Sequence, residues 1–179
     1  MDNNELIQSL LSYKKMLDLS YHFVIGRKNQ RVDIVLNFDK KRFFHLAGLQ
    51  YCVDLPELKK DREKVFNQIE NSEDFQNVIL NDPNYAQICD RIKFLSNIEG
   101  FLDSNEMVFR LNKQTGAYSL IKADYVLKQS DATNNMYLFI SKESKDSDTF
   151  FCQSAFSRNK SEKDYTVGHM LPDAQNTKK

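Results

Sequence analysis

The chain has three histidines, and one of them, His45, stands where an imidazole could act. The stretch "FDKKRFFHLAGLQYCVDLP", Phe38 to Pro56, opens as an amphipathic helix with Phe43, Phe44, Leu46 and Leu49 around that histidine. At helical spacing Lys41, His45 and Gly48 fall on one side, and Phe44, Ala47 and Tyr51 on another. An imidazole on such a border can move a proton as general acid or base. The same position also suits a half-buried structural histidine. Lys122 lies in the apolar "YSLIKADYVLKQ", on the face opposite Ile121 and Ala123. A cation held there suits a phosphate, or simply meets solvent. In "TFFCQSAFSR", alternation puts Phe150, Cys152, Ser154 and Phe156 on one face. Ser154 is then either a hydrogen-bonded core hydroxyl or a donor for a ligand. Arg158, at the end of that stretch, faces the same choice between phosphate and solvent.

Other chemistries find no footing. Neither a GxxxxGK[ST] loop, GxGxxG, GxSxG nor HExxH is present. His22, His45 and His169 are far apart and lack carboxylates at ligand spacing, so neither a metal nor another cofactor is expected. Cys52, Cys89 and Cys152 are isolated and show no CxxC spacing, which predicts buried free thiols in a reducing cytoplasm.

Local signals predict the elements that must position these residues. Leu6, Leu10, Tyr13 and Leu17 recur at helical spacing, predicting a helix to about Leu19. Val32, Ile34, Leu36 and Phe38 alternate with polar residues, and "GRKNQ" before them reads as a hairpin turn after a strand over Tyr21–Ile25. Asp39 can cap a helix over Lys40–Leu46, and Gly48 can stop it. A helical middle follows: Leu58, Arg62, Val65, Phe66 and Ile69 on one helix, a short helix after Ser72, and a long one opened by Asp82-Pro83 and running past Leu102. The last third reads as strands, "NEMVFRLN", "YSLIKADYVLKQ", "NMYLFISK", "DTFFCQSAFSR" and "YTVGHML", separated by turn compositions. Helices followed by a strand meander predict an α+β domain over residues 1–172, with an antiparallel sheet of four to five strands and helices on one face. The tail 173–179, within "PDAQNTKK", reads as flexible.

Bulk properties narrow the partners. A chain of 179 residues buries roughly 70% of its unfolded surface and needs no metal or disulfide to fold. Basic and acidic residues balance at 25 each, which argues against non-specific coating of duplex nucleic acid but leaves room for a local basic patch. The acidic "MDNNELIQSL" is unlike a signal peptide, and no apolar run approaches a membrane span.

The ordered motifs "FFHLAGLQYCVD", "REKVFNQIENSEDFQNVILNDPNYAQICDRIKFL", "LIKADYVLK", "MYLFISK" and "TFFCQSAFS" resemble the phage-encoded nuclease domains of the barnase–EndoU–colicin–RelE-like (BECR) superfamily. Within it they are similar to the branch with an HLxGL segment, a long helical insert and an "xIxADYxL" strand. The resemblance spans about Tyr13 to Leu171. It implies metal-independent endoribonuclease activity, in which the RNA 2′-hydroxyl attacks the adjacent phosphorus. It also implies a toxin or effector of phage or mobile-element origin in the cytoplasm of a bacterial host. The matching positions are His45 as general acid or base, Lys122 as a phosphate-stabilising cation and Ser154 as a hydrogen-bond donor. Tyr51 is a candidate for base stacking and Arg158 for phosphate contact. The expected partner is RNA, single-stranded or tRNA-like, with a protein inhibitor or host target as a further partner. The alternative, suggested by neutral charge, is a non-catalytic protein-interaction module on the same scaffold.

Overall fold

A computed structural model describes residues 3–27, 30–52, 61–104, 108–110, 123–162, 164–165 and 175–178. The fold is α+β. Contacts group the chain into two compact units, Met1–Asp18 with Phe38–Glu99, and Leu19–Asn37 with Gly100–Lys179.

The first unit is helical. Helix α1 covers Asn3–Met16, α2 Lys40–Leu46, α3 Arg62–Asn71, α4 Glu73–Leu80 and α5 Tyr85–Ser96, with a short 3-10 helix at Leu49–Tyr51. The side chain of Asp39 accepts from the Arg42 N–H, so α2 starts where its cap predicts. Ser72 likewise caps α4 by accepting from Phe75 N–H. Helix α1 buries Leu6, Leu10, Tyr13 and Met16, and it ends at Met16 instead of continuing to Leu19. Tyr13 anchors an aromatic cluster, with ring centroids 5.4 Å from Phe43 and 6.0 Å from Phe38. Its hydroxyl donates to Asp39 O at 3.0 Å. Phe43 meets Phe66 edge-on at 5.3 Å, and Lys40 Nζ donates to Asn67 Oδ1 at 2.9 Å. These contacts lock α2 against α3.

The long helix expected after Asp82-Pro83 is interrupted. Asp82 Oδ1 accepts from Asn84 N–H at 2.8 Å in a turn, and helix begins only at Tyr85. It stops at Ser96, and α6 resumes at Ile98–Ser104. Ser12 Oγ of α1 donates to the Ser96 carbonyl at 2.9 Å, occupying the oxygen that a continuous helix would give to the amide four residues on. A residue 84 positions away in sequence thus accompanies the break.

The second unit carries a seven-stranded sheet in the order β3-β4-β5-β6-β2-β1-β7. Its strands are β1 Tyr21–Arg27, β2 Gln30–Asn37, β3 Val108–Arg110, β4 Tyr125–Ser130, β5 Asn134–Lys142, β6 Thr149–Asn159 and β7 Gln175–Lys178. Two departures from the expected meander enlarge it. The N-terminal hairpin β1–β2 joins the same sheet through a parallel pairing of Val35–Asn37 with Thr149–Phe151, so the sheet is mixed, not purely antiparallel. Residues 175–178, where composition predicts a flexible tail, form β7 antiparallel to β1. Of the expected strand "YTVGHML", Tyr165 lies in a turn and residues 166–171 fall outside the described residues.

One face of the sheet is an apolar core, with Tyr21, Phe23, Ile34, Leu36, Leu138, Ile140, Phe150 and Cys152 all buried. Tyr21 also donates from its hydroxyl to Asp103 Oδ1 of α6 at 2.9 Å. Strict alternation fails on β6. Phe139 pairs with Ser154 and Ile140 with Cys152, leaving Gln153 as an extra residue in a β-bulge. The bulge moves Ser154 and Phe156 off the face of Phe150 and Cys152 and onto that of Tyr137 and Phe139. On β4, Lys128 stands opposite the Tyr125 and Leu127 face. Ala123 does not share that face; it packs with Val126, Tyr137 and Phe139 beyond the bend at Asp124.

Candidate active site

His45 lies in the last turn of α2, half-buried, beside the ring of Phe44 at a centroid distance of 5.7 Å. Burial pushes its pKa below the usual 6.5, and the positive charges of Arg62, Arg42 and Arg91 push the same way. The Gln50 side chain acts in the opposite sense. Gln50 Oε1 is buried and makes no well-formed hydrogen bond, so its closeness to the imidazole is a modest, outweighed effect. Burial and these charges therefore favour the neutral imidazole over the imidazolium. In the neutral form it can accept a proton, the requirement for a general base.

The three arginines come from different elements. Arg42 is on α2 and shares its charge with Asp39, Nε to Oδ2 at 3.5 Å. Arg62 opens α3, which the Phe43–Phe66 contact holds against α2. Arg91 lies on α5 between the buried Ile88 and Ile92; its Nη1 donates to the His45 carbonyl at 3.4 Å. Burial pulls the Arg91 pKa below its ordinary value, with Tyr51 opposing. The guanidinium carbon stands 5.4 Å from the centroid of the Tyr51 ring.

The turn between α2 and the 3-10 helix makes this approach possible. Gly48 has φ +79°, and a Cβ there would lie 2.8 Å from Arg91 Cδ and 2.9 Å from Ile88 Cγ2. Tyr51 is 47% exposed, yet Asn84 Nδ2 donates to its carbonyl at 3.0 Å and fixes its backbone.

The remaining candidates come from other parts of the chain. Ser154 and Arg158 are on β6 of the second unit, on the same face of the strand. Lys122 lies outside the described residues. Arg158 is engaged within its unit: its guanidinium stacks on Tyr165 at 4.3 Å, and Nε pairs with Glu162 Oε2 at 3.7 Å. It helps hold Tyr165 over Tyr137, Phe139 and Phe156, whose ring centroids lie 5.3, 5.6 and 5.3 Å away. Lys128 is ion-paired to Asp164, and Asp164 Oδ1 accepts from the Tyr137 hydroxyl at 2.9 Å. Spacing brings His45 to attention and the resemblance brings Tyr51; neither gives a reason to single out Arg62 or Arg91. The available signal for Arg91 is a cation set beside the Ile88, Ile92 and Leu95 stripe.

A family model described as phage-Barnase-EndoU-ColicinE5/D-RelE like nuclease4 (PBECR4) matches residues 5–170. The chain belongs to this nuclease family. The match spans His45, Tyr51, Lys122, Ser154 and Arg158 together with Arg62 and Arg91. No curated protein and no solved structure matches the chain. Membership of this BECR-type nuclease family implies a nucleic-acid substrate. Among the described residues no helix is long and apolar enough to cross a membrane.

Proposed function

We propose that this BECR-type nuclease is a metal-independent endoribonuclease, a toxin or effector of phage or mobile-element origin. The observation that carries the reading is a half-buried imidazole whose burial and neighbouring arginines disfavour its charged form, within a chain of the nuclease family. His45 takes the proton of an RNA 2′-hydroxyl. The oxygen so freed attacks the adjacent phosphorus, and the bond from phosphorus to the 5′-oxygen breaks. The 5′-oxygen leaves with a proton from a general acid, giving a 2′,3′-cyclic phosphate and a 5′-hydroxyl end. Lys122 offsets charge on the phosphate, and Ser154 donates a hydrogen bond to one of its oxygens. Because the nucleophile is the substrate's own hydroxyl, DNA is not cut.

Incubating the purified protein with total RNA in EDTA tests this directly. Wild type should cut and His45→Ala should lose at least about 100-fold in rate, the usual scale of general acid–base catalysis. Lys122→Ala and Ser154→Ala should each slow cleavage. Combining either with His45→Ala should cost less than the product of the single effects, since the groups serve one step. No cleavage by wild type, or full activity in His45→Ala, overturns the assignment.

A further inference from the structure

The ring of Tyr51 is unusual for an aromatic side chain in this unit. Phe43, Phe44 and Phe66 are buried, whereas Tyr51 is 47% exposed. It is nevertheless fixed. Its residue closes the 3-10 helix Leu49–Tyr51, its carbonyl is held by Asn84, and the Arg91 guanidinium sits over the ring. An exposed ring held this firmly has already lost the side-chain freedom that binding would otherwise cost. A cation on one face draws ring electron density toward itself and leaves the ring better disposed to stack on a flat π-system.

The surroundings specify what that π-system should carry. Arg91 reaches from Tyr51 to the backbone carbonyl of His45, so one guanidinium links the ring to the residue that carries the imidazole. Arg62 supplies the largest of the positive charges felt by the same imidazole, and Arg42 a smaller one shared with Asp39. In a chain of zero net charge, this gathers positive potential at one place. A planar group joined to an anion a few ångströms away is the description of a nucleotide with its backbone phosphate. Bases in a duplex are stacked on one another and cannot offer a free face, so the ligand class is single-stranded nucleic acid.

We infer that Tyr51 and Arg91 form a nucleotide-binding subsite, with Arg62 adding positive charge toward His45: Tyr51 stacks a base and the guanidinium groups draw in its phosphate. The subsite rests on the nuclease reading for its ligand class, but its test is independent of cleavage. Fluorescence anisotropy of a labelled single-stranded 2′-O-methyl oligonucleotide reads binding without any possibility of 2′-hydroxyl attack. Tyr51→Ala should weaken binding by about 5- to 100-fold, the scale of one lost base stack, and leave the salt dependence alone. Tyr51→Phe should bind within about twofold of wild type. Arg91→Gln and Arg62→Gln should each lower affinity and reduce the slope of log K against log salt by about 0.7, the value for one phosphate contact on a single strand. The Tyr51 and Arg62 variants alter surface or half-exposed residues, so they keep the test decisive if Arg91→Gln fails to fold.

Wild-type affinity in Tyr51→Ala and Arg62→Gln overturns the subsite, as does absence of oligonucleotide binding by wild type. Equal or tighter binding of the matching duplex overturns its single-strand preference. Cleavage of RNA by wild type together with unaltered binding in the variants removes the subsite and leaves the nuclease. Binding that depends on Tyr51, with no cleavage by wild type, does the reverse.

Discussion

Gly48 and Arg91 approach each other as only a glycine permits. At φ +79° a Cβ on residue 48 would stand 2.8 Å from Arg91 Cδ. The glycine therefore does two things at once: it lets the chain turn out of α2, and it leaves room for the guanidinium stem that runs on to Tyr51 and the His45 carbonyl.

Gly48→Ala should destabilise the protein. The left-handed conformation alone costs a residue with a Cβ about 1–2 kcal/mol, and the contacts with Arg91 and Ile88 add to it. Urea denaturation measures the total. Arg91 must also shift, so the same variant should bind nucleic acid more weakly. An alanine variant as stable as wild type would show that the turn is not built as described.

The His45 titration should follow from its surroundings. Its imidazole resonances should titrate below 6.5 in an NMR pH series, and Arg62→Gln should move the midpoint upward. The sign for stability follows by linkage. The unfolded chain takes up this proton near the ordinary value, while the folded chain takes it up only at lower pH. Stability is therefore lost as pH falls from above 6.5 toward the folded midpoint, and this contribution levels off below it. His45→Gln should abolish that component of the pH dependence.

Removing Gln153 should preserve the faces of β6. With the extra residue gone, Ser154 follows Cys152 directly, so alternation keeps Ala155 on the face of Leu138 and Cys152, and Ser154 and Phe156 on that of Tyr137 and Phe139. The deletion variant should therefore still unfold in one cooperative transition on heating, and its loss would show that the strand needs the bulge for its pairing. Gln153→Ala keeps the residue count and should remain close to wild type.

Asp164 should control the Tyr137 hydroxyl. Burial first, and Asp164 second, push the Tyr137 pKa up to about 12. In Asp164→Asn the ultraviolet titration of Tyr137 should move down. Tyr85, raised to about 12 chiefly by its own burial, should stay in place as an internal control. Lys128 loses its ion-pair partner, and a net destabilisation of about 1–3 kcal/mol is expected for a group left this poorly solvated.

Much of this protein is local and can be read along the chain. Helix α2 starts at the predicted cap because the Asp39 carboxylate and the Arg42 amide are only three residues apart. The β1–β2 hairpin and strands β4 to β6 follow from alternation and turn composition. Nuclease-family membership also belongs to the sequence, since it rests on the order of short motifs over residues 5–170.

What the sequence could not determine depends on groups that meet only when the chain is folded. The break between α5 and α6 involves a hydroxyl from α1. The face presented by Ser154 depends on one unpaired residue opposite Phe139 and Ile140. Sequence alone made His45 a candidate proton carrier and Tyr51 a candidate stacking ring. Tertiary structure decided that the imidazole's pKa is held below its ordinary value and that the ring is backed by a cation. The physical reason is that burial and Coulomb interactions depend on separation in space, and Arg62 and Arg91 reach that neighbourhood from helices far along the chain.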